Sequence, residues 1–315
     1  MSEGLLGRFT RFWGSPLGAL LKLVIGLGVL GYVLSTLDTS VLRTLARRAS
    51  MPHLLAITAV ALAGHVVGAV RFKLLADPVA RLPLVEHVRQ YFVGAYFSMF
   101  LPSSMGGDGV RVVLLKNQGM PASAAASLVF TERALGAISL VLVAATAAAV
   151  STLPRELTLL LSLAAVGTLA GLVVVRLVTS KLEPKNALLR QALDAARAAL
   201  DHGRLLPALG MSVVYQVATV WVTVAVNDAL GLGVPTAMVL ALAPLIWFVT
   251  LLPISVGGLG VREAGFVIVF AWGNVDRESA LLLSLGTYAG LVAIGLAGAA
   301  WFTWDRVRGA ASRGA

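Results

Sequence analysis

Long apolar runs recur along the whole chain and are interrupted by only a few short polar stretches. Six of the runs reach about 20 residues, the length that an α-helix needs to cross a bilayer. They predict membrane-spanning helices at 17–37, 53–75, 123–150, 157–178, 206–230 and 277–303. Two further apolar segments, 83–102 and 235–254, are different because each ends in a proline- and glycine-rich break.

The two breaks are copies of one sequence. Residues 101–111 read LPSSMGGDGVR and residues 252–262 read LPISVGGLGVR, so eight of the eleven positions are identical. Such a match within one chain indicates an internal repeat. In each copy proline ends the incoming helix, and the glycines let the backbone turn sharply. The apolar pieces that follow, 110–115 and 264–273, are too short to cross a bilayer alone. Each half is therefore predicted to contain a re-entrant helical hairpin.

The basic residues predict the orientation of the chain. Lysine and arginine collect before the first span, in the connection 176–204 and after the last span, and the positive-inside rule places these regions in the cytoplasm. With the N-terminus inside, the spans 17–37 and 53–75 return the chain to the cytoplasm, so the first hairpin must enter from there. The span 206–230 leads outward from the cytoplasmic connection, so the second hairpin must enter from outside. Opposite entry makes the halves an inverted-topology repeat, as in many secondary transporters. The three arginines of the nominally outer loop 38–52 argue against this orientation unless that loop forms an interfacial helix.

The predicted fold is an all-α polytopic membrane protein with about six full transmembrane helices and two re-entrant hairpins. Its parts are a first membrane repeat at 1–178 with hairpin 83–115, a cytoplasmic amphipathic connector at 179–205, a second membrane repeat at 206–305 with hairpin 235–273, and a basic cytoplasmic tail at 306–315. The connector places leucines on one helical face and charges elsewhere. This pattern is typical of a helix that lies on the cytoplasmic leaflet, and an ordinary solvated connector explains it equally well.

Composition agrees with a membrane protein and narrows the chemistry. The chain is 58% apolar and only 13% charged, against about 25% charged in soluble domains. It has no cysteine, so disulfides, thiolate metal sites and cysteine nucleophiles are excluded. The four histidines lack ligand-like spacing, and we expect neither a metal nor a cofactor. The net charge of +10 is attributed to topology and to anionic headgroups, with no nucleic-acid partner expected.

Each break also carries groups suited to binding an anion. The free N–H groups at the start of each outgoing helix attract negative charge. Arg111 and Arg262 follow at matching positions and offer forked donors to phosphate oxygens. If the two breaks meet near the midplane, they form a phosphate-binding centre. Alternatively, the glycines only permit tight packing and the arginines pair with carboxylates.

Several charged residues inside apolar segments need partners. Glu132 and Arg133 lie within the span 123–150, where charges are expensive and usually face the bundle interior. We expect Glu132 to pair with Arg111 or Arg262, and Arg133 to pair with Asp108 or Glu263. Arg262 and Glu263 project about 100° apart on a helix, so each is expected to need a partner from another element.

Two other charges are predicted at the membrane surface. Arg71 lies near the end of the span 53–75 and is expected to snorkel to the interface. Asp228, near the end of the span 206–230, is expected to be interfacial as well.

These motifs resemble the lysylphosphatidylglycerol synthase transmembrane region family, a flippase-like membrane domain that is also present in the multiple peptide resistance factor. The resemblance rests on Phe100 to Asp108 and Arg111, on Glu132-Arg133, and on Pro253 to Glu263, within roughly residues 15–305. It implies movement of a phosphate-headgroup lipid between leaflets of the bacterial inner membrane. Bifunctional members add a soluble aminoacyltransferase domain. None is predicted here, so we expect no enzyme activity and no synthesis of the aminoacylated lipid.

The expected substrate is an anionic phospholipid, an aminoacylated phospholipid or an isoprenoid-linked lipid phosphate. The predicted substrate-binding residues are Gly106, Gly107, Asp108, Arg111, Glu132, Arg133, Gly257, Gly258, Arg262 and Glu263. The residues leave open a homo-oligomer and a separate lipid-synthesis enzyme as partners.

The sequence leaves two alternatives to transport open. A membrane-embedded transferase or phosphatase acting on a lipid-linked phosphate needs a carboxylate cluster for a divalent cation. Asp108, Glu132 and Glu263 are the candidates for that cluster. A non-transporting scaffold for a lipid-synthesis enzyme is the other alternative.

Overall fold

The structure is a computed structural model that describes residues 50–99, 106–250, 258 and 260–311. Every regular element within these residues is an α-helix. In chain order the helices are α1 (Met51–Ala76), α2 (Leu84–Ser98), α3 (Gly106–Asn117), α4 (Ala122–Ala149), α5 (Arg155–Lys181), α6 (Ala187–Ala199), α7 (His202–Leu230), α8 (Thr236–Thr250), α9 (Val261–Ala271) and α10 (Arg277–Ala311).

The long helices match the predicted spans. In the described part of the chain, α1, α4, α5, α7 and α10 are long and apolar enough to cross a bilayer. They confirm five of the six predicted spans. The sixth span, 17–37, lies outside the described residues, as do residues 38–49 of the nominally outer loop. The protein is thus a multi-pass α-helical membrane protein, as the apolar pattern predicted.

Helix α5 shows which surface faces lipid. Only Leu161 and Ala165 of this helix are buried, and it packs on α4. Leu163 is 70% exposed and Val166 is 66% exposed. An apolar surface of this extent is unfavourable in water, so the outer face of α5 is expected to contact acyl chains.

Helices α2 and α3 fold back on one another as a hairpin. Near the break, a Cβ built on Gly107 lies only 2.1 Å from the Gly94 carbonyl oxygen. At the other end, the Gln90 side chain on α2 donates to the Gln118 side chain, just beyond α3, at 3.1 Å. Contacts at both ends mean that the two helices run antiparallel, so the chain enters and leaves the hairpin at one end. The joining residues 100–105 lie outside the described part.

Helices α8 and α9 form a second hairpin of the same kind. Gly265 packs on Ile246 near the break, and Gly273 packs on Met238 at the far end. The turn into α9 uses left-handed backbone, with φ of +79° at both Gly258 and Gly260. Glycine adopts this conformation without the strain that a Cβ would add. Residues 251–257 and 259 lie outside the described part.

Helix α10 contacts both hairpins in order along its length. Its N-terminal end follows directly from α9, and its Ser284 lies 3.4 Å from the side chain of Arg262. Further along, Gly295 packs on Met99 beside the first break, and Asp305 accepts a hydrogen bond from Arg89 Nε at 2.6 Å. The two hairpins therefore reach α10 from opposite ends, with both breaks directed toward its middle.

The predicted connector contains α6. Asn186 caps its N-terminus by accepting from the Leu188 N–H at 2.8 Å, and Ala195 and Ala199 are buried in the packing of α6 against α4. Arg197 Nη2 donates to the Thr179 carbonyl oxygen at 2.7 Å, which caps the last turn of α5. The connector is thus tied to the bundle at two points.

Part of the predicted basic tail, 306–315, belongs to the last helix. Helix α10 continues through Ala311, past the predicted repeat boundary at 305. Residues 312–315 lie outside the described part.

Candidate functional site

The first charged cluster is built around Glu132, inside α4. Its carboxylate is 1% exposed and is shared by arginines from two other helices. Arg71 Nη2, on α1, donates to Oε1 at 2.7 Å, and Arg111 Nη2, on α3, donates to Oε2 at 2.8 Å. A buried carboxylate is unfavourable unless it is paired. The ion pairs therefore compensate Glu132 and join α1, α3 and α4 at one point.

Asp108 extends this cluster toward the surface. It accepts from Arg111 Nη1 at 3.3 Å and from Arg133 Nε at 2.7 Å. The Arg133 side chain is 43% exposed, whereas that of Asp108 is 13% exposed. We call Arg71, Asp108, Arg111, Glu132 and Arg133 the first cluster. Three arginines against two carboxylates leave it with one formal positive charge.

Aromatic rings hold the two buried arginines of the first cluster. Arg111 Cζ lies 4.2 Å from the centroid of the Tyr91 ring and 4.6 Å from that of Phe72. Arg71 Cζ lies 4.4 Å from the centroid of Tyr215, and its Nη2 donates to the Tyr91 hydroxyl at 3.3 Å. Stacking on ring faces favours a guanidinium in a desolvated site.

Both buried arginines keep unused donors. Arg71 Nε and Nη1, and Arg111 Nε, are buried without a hydrogen-bond acceptor among the described residues. Buried donors normally have a partner, because leaving them unpaired is unfavourable. The first cluster thus combines excess positive charge with N–H groups available to a further anion.

The second charged cluster lies at the start of α9 and is self-contained. Arg262 Nη2 donates to Glu263 Oε1 at 2.5 Å, and the Gly260 N–H donates to Glu263 Oε2 at 2.6 Å. Ser284 Oγ lies 3.4 Å from both side chains, and Arg262 Cζ lies 4.3 Å from the Tyr288 ring centroid. Arg262 is 2% exposed and Glu263 is 1% exposed. The carboxylate of Glu263 therefore occupies the helix terminus that was expected to attract an anion.

Some of the predicted pairings are confirmed and others are wrong. Glu132 pairs with Arg111, and Arg133 pairs with Asp108, as expected. The expectation that neighbours Arg262 and Glu263 would not neutralise each other is wrong. The 100° offset separates the Cβ directions only, and a long arginine side chain can bend back to reach the adjacent carboxylate.

The prediction for Arg71 is also wrong. It does not snorkel to an interface, because it is 4% exposed and pairs with Glu132. Its ring partners Tyr91 and Tyr215 were not identified from the sequence either. The one available signal was a full charge inside the apolar run 53–75. Asp228 is exposed near the end of α7, and its place at the membrane surface stays a prediction.

The two matching arginines lie in different clusters. No hydrogen bond or ion pair within the described residues joins Arg111 to Arg262. Of the predicted glycines, Gly106 and Gly107 begin α3, and Gly258 lies in the turn before α9. Gly257 lies outside the described residues.

The three carboxylates of the metal-dependent alternative do not come together as one group. Asp108 and Glu132 are bound by arginines in the first cluster, and Glu263 belongs to the second. Within the described residues, no group of three or more histidine, aspartate or glutamate side chains is placed to hold a metal ion.

Similarity to a known protein family covers most of the chain. The model of a family described as the lysylphosphatidylglycerol synthase TM region matches residues 19–307. This range covers both hairpins, both charged clusters and the connector. Neither the curated proteins nor the solved structures gave a significant match.

Proposed function

The chain belongs to the lysylphosphatidylglycerol synthase transmembrane region family, and from this premise we propose that it moves a lipid with a phosphate headgroup between membrane leaflets. The substrate class is an anionic phospholipid, an aminoacylated phospholipid or an isoprenoid-linked phosphate. The family match supports a membrane protein that acts in lipid biology. The transport step is our inference from the first cluster and from the two hairpins.

The first cluster is the observation that carries the proposal. Its one excess positive charge attracts an anion, and its buried arginines keep unused N–H donors. Guanidinium groups match phosphate oxygens in geometry and remain charged at every physiological pH. Arg133 opens the cluster to the surface, with 43% of its side chain exposed. A phosphate group that enters beside Arg133 competes with Asp108, whose carboxylate joins Arg133 to Arg111.

The arrangement of the hairpins supports access from both sides. Both breaks point toward the middle of α10 from opposite ends, which is what an inverted repeat with two re-entrant hairpins requires. In such transporters the site lies near the midplane, and rocking of the halves exposes it alternately to each side. The first hairpin carries Asp108 and Arg111, and α4 carries Glu132 and Arg133. The proposed site therefore lies between a hairpin and a full span.

We assign different roles to the two copies of the repeated sequence. The first copy binds phosphate through Gly106, Gly107 and Arg111. In the second copy, Arg262 and Glu263 neutralise each other, and Glu263 fixes the turn at Gly260. This division follows from the lower exposure of the second cluster and from the hydrogen bond between the Gly260 N–H and Glu263.

We place the protein in the bacterial inner membrane with both termini in the cytoplasm. The Arg89–Asp305 ion pair puts the C-terminal end of α10 and the base of the first hairpin at one end of the bundle. The connector joins the N-terminal part of α4, which follows that hairpin, because Ser127 Oγ donates to the Ala192 carbonyl oxygen at 2.6 Å. The connector is rich in lysine and arginine, which the positive-inside rule assigns to the cytoplasm.

Reconstitution into vesicles tests the proposal. Fluorescent phosphatidylglycerol in the inner leaflet becomes accessible to dithionite only after it moves outward. We expect the wild-type protein to raise this rate, and we expect Arg111→Ala to lower it at least about tenfold, equivalent to about 1.4 kcal/mol. Arg155→Ala, at the exposed start of α5, is the matched control and should behave as wild type.

Two outcomes would contradict the proposal. A wild-type rate equal to that of empty vesicles would show that the protein does not transport this lipid class. Equal rates for wild type and Arg111→Ala would show that the first cluster is not the substrate-binding site. Chromatography of the same lipids shows whether they are chemically unchanged. A transporter leaves the lipids unchanged, whereas a transferase or phosphatase alters them.

A further inference from the structure

Arg71 is the one arginine of the first cluster that was not predicted to lie in or beside a repeated motif. It lies on α1, in a full span, whereas Arg111 lies on the outgoing helix of the first hairpin. The two arginines hold different oxygens of Glu132, at 2.7 Å and 2.8 Å. Glu132 thus has one cation from the span and one from the hairpin.

We propose that Arg71 is a positioning residue that holds Glu132, so that Arg111 can leave this carboxylate and bind the phosphate of the substrate. This inference rests on the proposed function and adds a residue and a step to it. In this exchange, the Glu132 carboxylate binds the Arg111 guanidinium until the phosphate of the substrate replaces the carboxylate.

The energetic reason lies in the burial of Glu132. A carboxylate that is 1% exposed becomes strongly unfavourable when its only cation is withdrawn. With Arg71 on Oε1, the carboxylate stays compensated after Arg111 departs. Without Arg71, each departure of Arg111 would leave a bare buried charge, and Arg111 would remain bound to Glu132.

The contacts of Arg71 are suited to this role. Its guanidinium is held by the ring of Tyr215 on α7 and by the hydroxyl of Tyr91. Helix α1 packs closely on α7, and a Cβ built on Gly136 of α4 lies 3.4 Å from Arg71 Nη1. Tyr215 and Gly136 belong to full spans, whereas Tyr91 belongs to the first hairpin. The Arg71–Glu132 pair therefore keeps the support of two full spans when Arg111 leaves Glu132.

Arg111 keeps partners of its own when it leaves Glu132. Asp108 lies one turn earlier on α3 and accepts from Arg111 Nη1 at 3.3 Å. Tyr91, on the same hairpin, stacks on its guanidinium. The Nη2 that now donates to Glu132 and the unused Nε are the two donors available to a phosphate.

A double-mutant cycle tests the inference on the full chain in detergent. The probe is phosphatidylglycerol with short acyl chains, and inorganic phosphate as competitor separates headgroup recognition from binding of the free anion. We expect Arg71→Gln to weaken binding at least about tenfold, because Arg111 stays on Glu132. Adding Glu132→Gln should restore affinity to within about threefold of wild type, because the competing carboxylate is gone.

A merely structural role for Arg71 predicts the opposite pattern. The double variant would then bind no better than Arg71→Gln, and this result in folded protein would overturn the inference. Wild-type affinity in Arg71→Gln would overturn it equally.

Glu132→Gln alone gives a test that needs no change at Arg71. It should bind the probe at least as tightly as wild type and move it more slowly in vesicles, and weaker binding by this folded variant would contradict the exchange.

The same experiment separates this inference from the proposed function. If the wild-type protein fails to bind the probe, both the proposed function and the exchange fail. If the wild type binds, Arg111→Ala does not, and Arg71→Gln matches the wild type, only the role of Arg71 fails.

Discussion

Gly107 on α3 packs directly against Gly94 on α2, so closely that an added Cβ would lie 2.1 Å from the Gly94 carbonyl oxygen. A Cβ on Gly94 would in turn lie 2.8 Å from Cγ of Arg111. The contact between the two glycines thus sets how far Arg111 stands from α2, and with it the reach of Arg111 to Glu132. A packing contact in the backbone determines the geometry of the first cluster.

Replacing Gly107 tests this relationship. Gly107→Ala places a methyl group against backbone that cannot move aside, so α2 and α3 must separate. We expect a loss of about 1–3 kcal/mol of stability, the usual effect of overpacking, seen as a lower thermal unfolding temperature in detergent. Gly109→Ala is the matched control on the same helix, because a Cβ there meets nothing within 4 Å. Equal melting temperatures for the two variants would show that the glycine contact is not needed.

Removing the charge of Asp108 should strengthen the attraction for anionic lipid. Asp108→Asn raises the formal charge of the first cluster by one and frees donors on Arg111 and Arg133. We expect about fivefold tighter binding of short-chain phosphatidylglycerol, from about 1 kcal/mol for a unit charge at 4 Å in water. The gain should shrink in high salt. Asp194→Asn in the exposed connector is the control, and weaker binding by folded Asp108→Asn would argue against an anion site.

The second cluster should matter more for stability than for binding. Glu263→Gln breaks a buried ion pair and weakens the cap on the Gly260 N–H. The expected loss is about 3–5 kcal/mol, because Arg262 is left buried without its counter-ion. The fraction that remains folded should bind lipid as the wild type does. Glu278→Gln, at the exposed start of α10, should leave the melting temperature unchanged. A stable Glu263→Gln protein that has lost lipid binding would instead place the second cluster in the site.

The opposite entry of the two hairpins can be tested by labelling single cysteines, because the chain contains none. Asn117→Cys reports the base of the first hairpin, and Ala271→Cys reports the base of the second. We expect a membrane-impermeant maleimide to label Ala271→Cys from outside intact cells and Asn117→Cys only after lysis.

Two further positions calibrate the labelling. Thr152→Cys, in the loop between α4 and α5, should label from outside, and Arg190→Cys, in the connector, should not. Labelling of both hairpin bases from the same side would rule out an inverted repeat.

The sequence was sufficient where the physical constraint is local. The lengths of the apolar runs predicted the membrane-spanning helices, because a helix needs about 20 residues to cross a bilayer. The repeated sequence predicted that a short return helix would follow each break, and α3 and α9 begin there. The high cost of charge inside an apolar helix predicted that Glu132 and Arg133 would have partners, and their partners are Arg111 and Asp108.

Only the tertiary structure decided which charges share a site. Arg71 lies near a helix end, where a lone helix would let it reach the interface, but α4 and α7 pack over that end and bury it. Arg111 and Arg262 match in sequence, yet Glu263 neutralises one and Glu132 binds the other. Sequence constrains the depth and direction of each helix. The distances between side chains on different helices depend on how those helices pack, and these distances determine whether an arginine stabilises the fold or remains available to a phosphate.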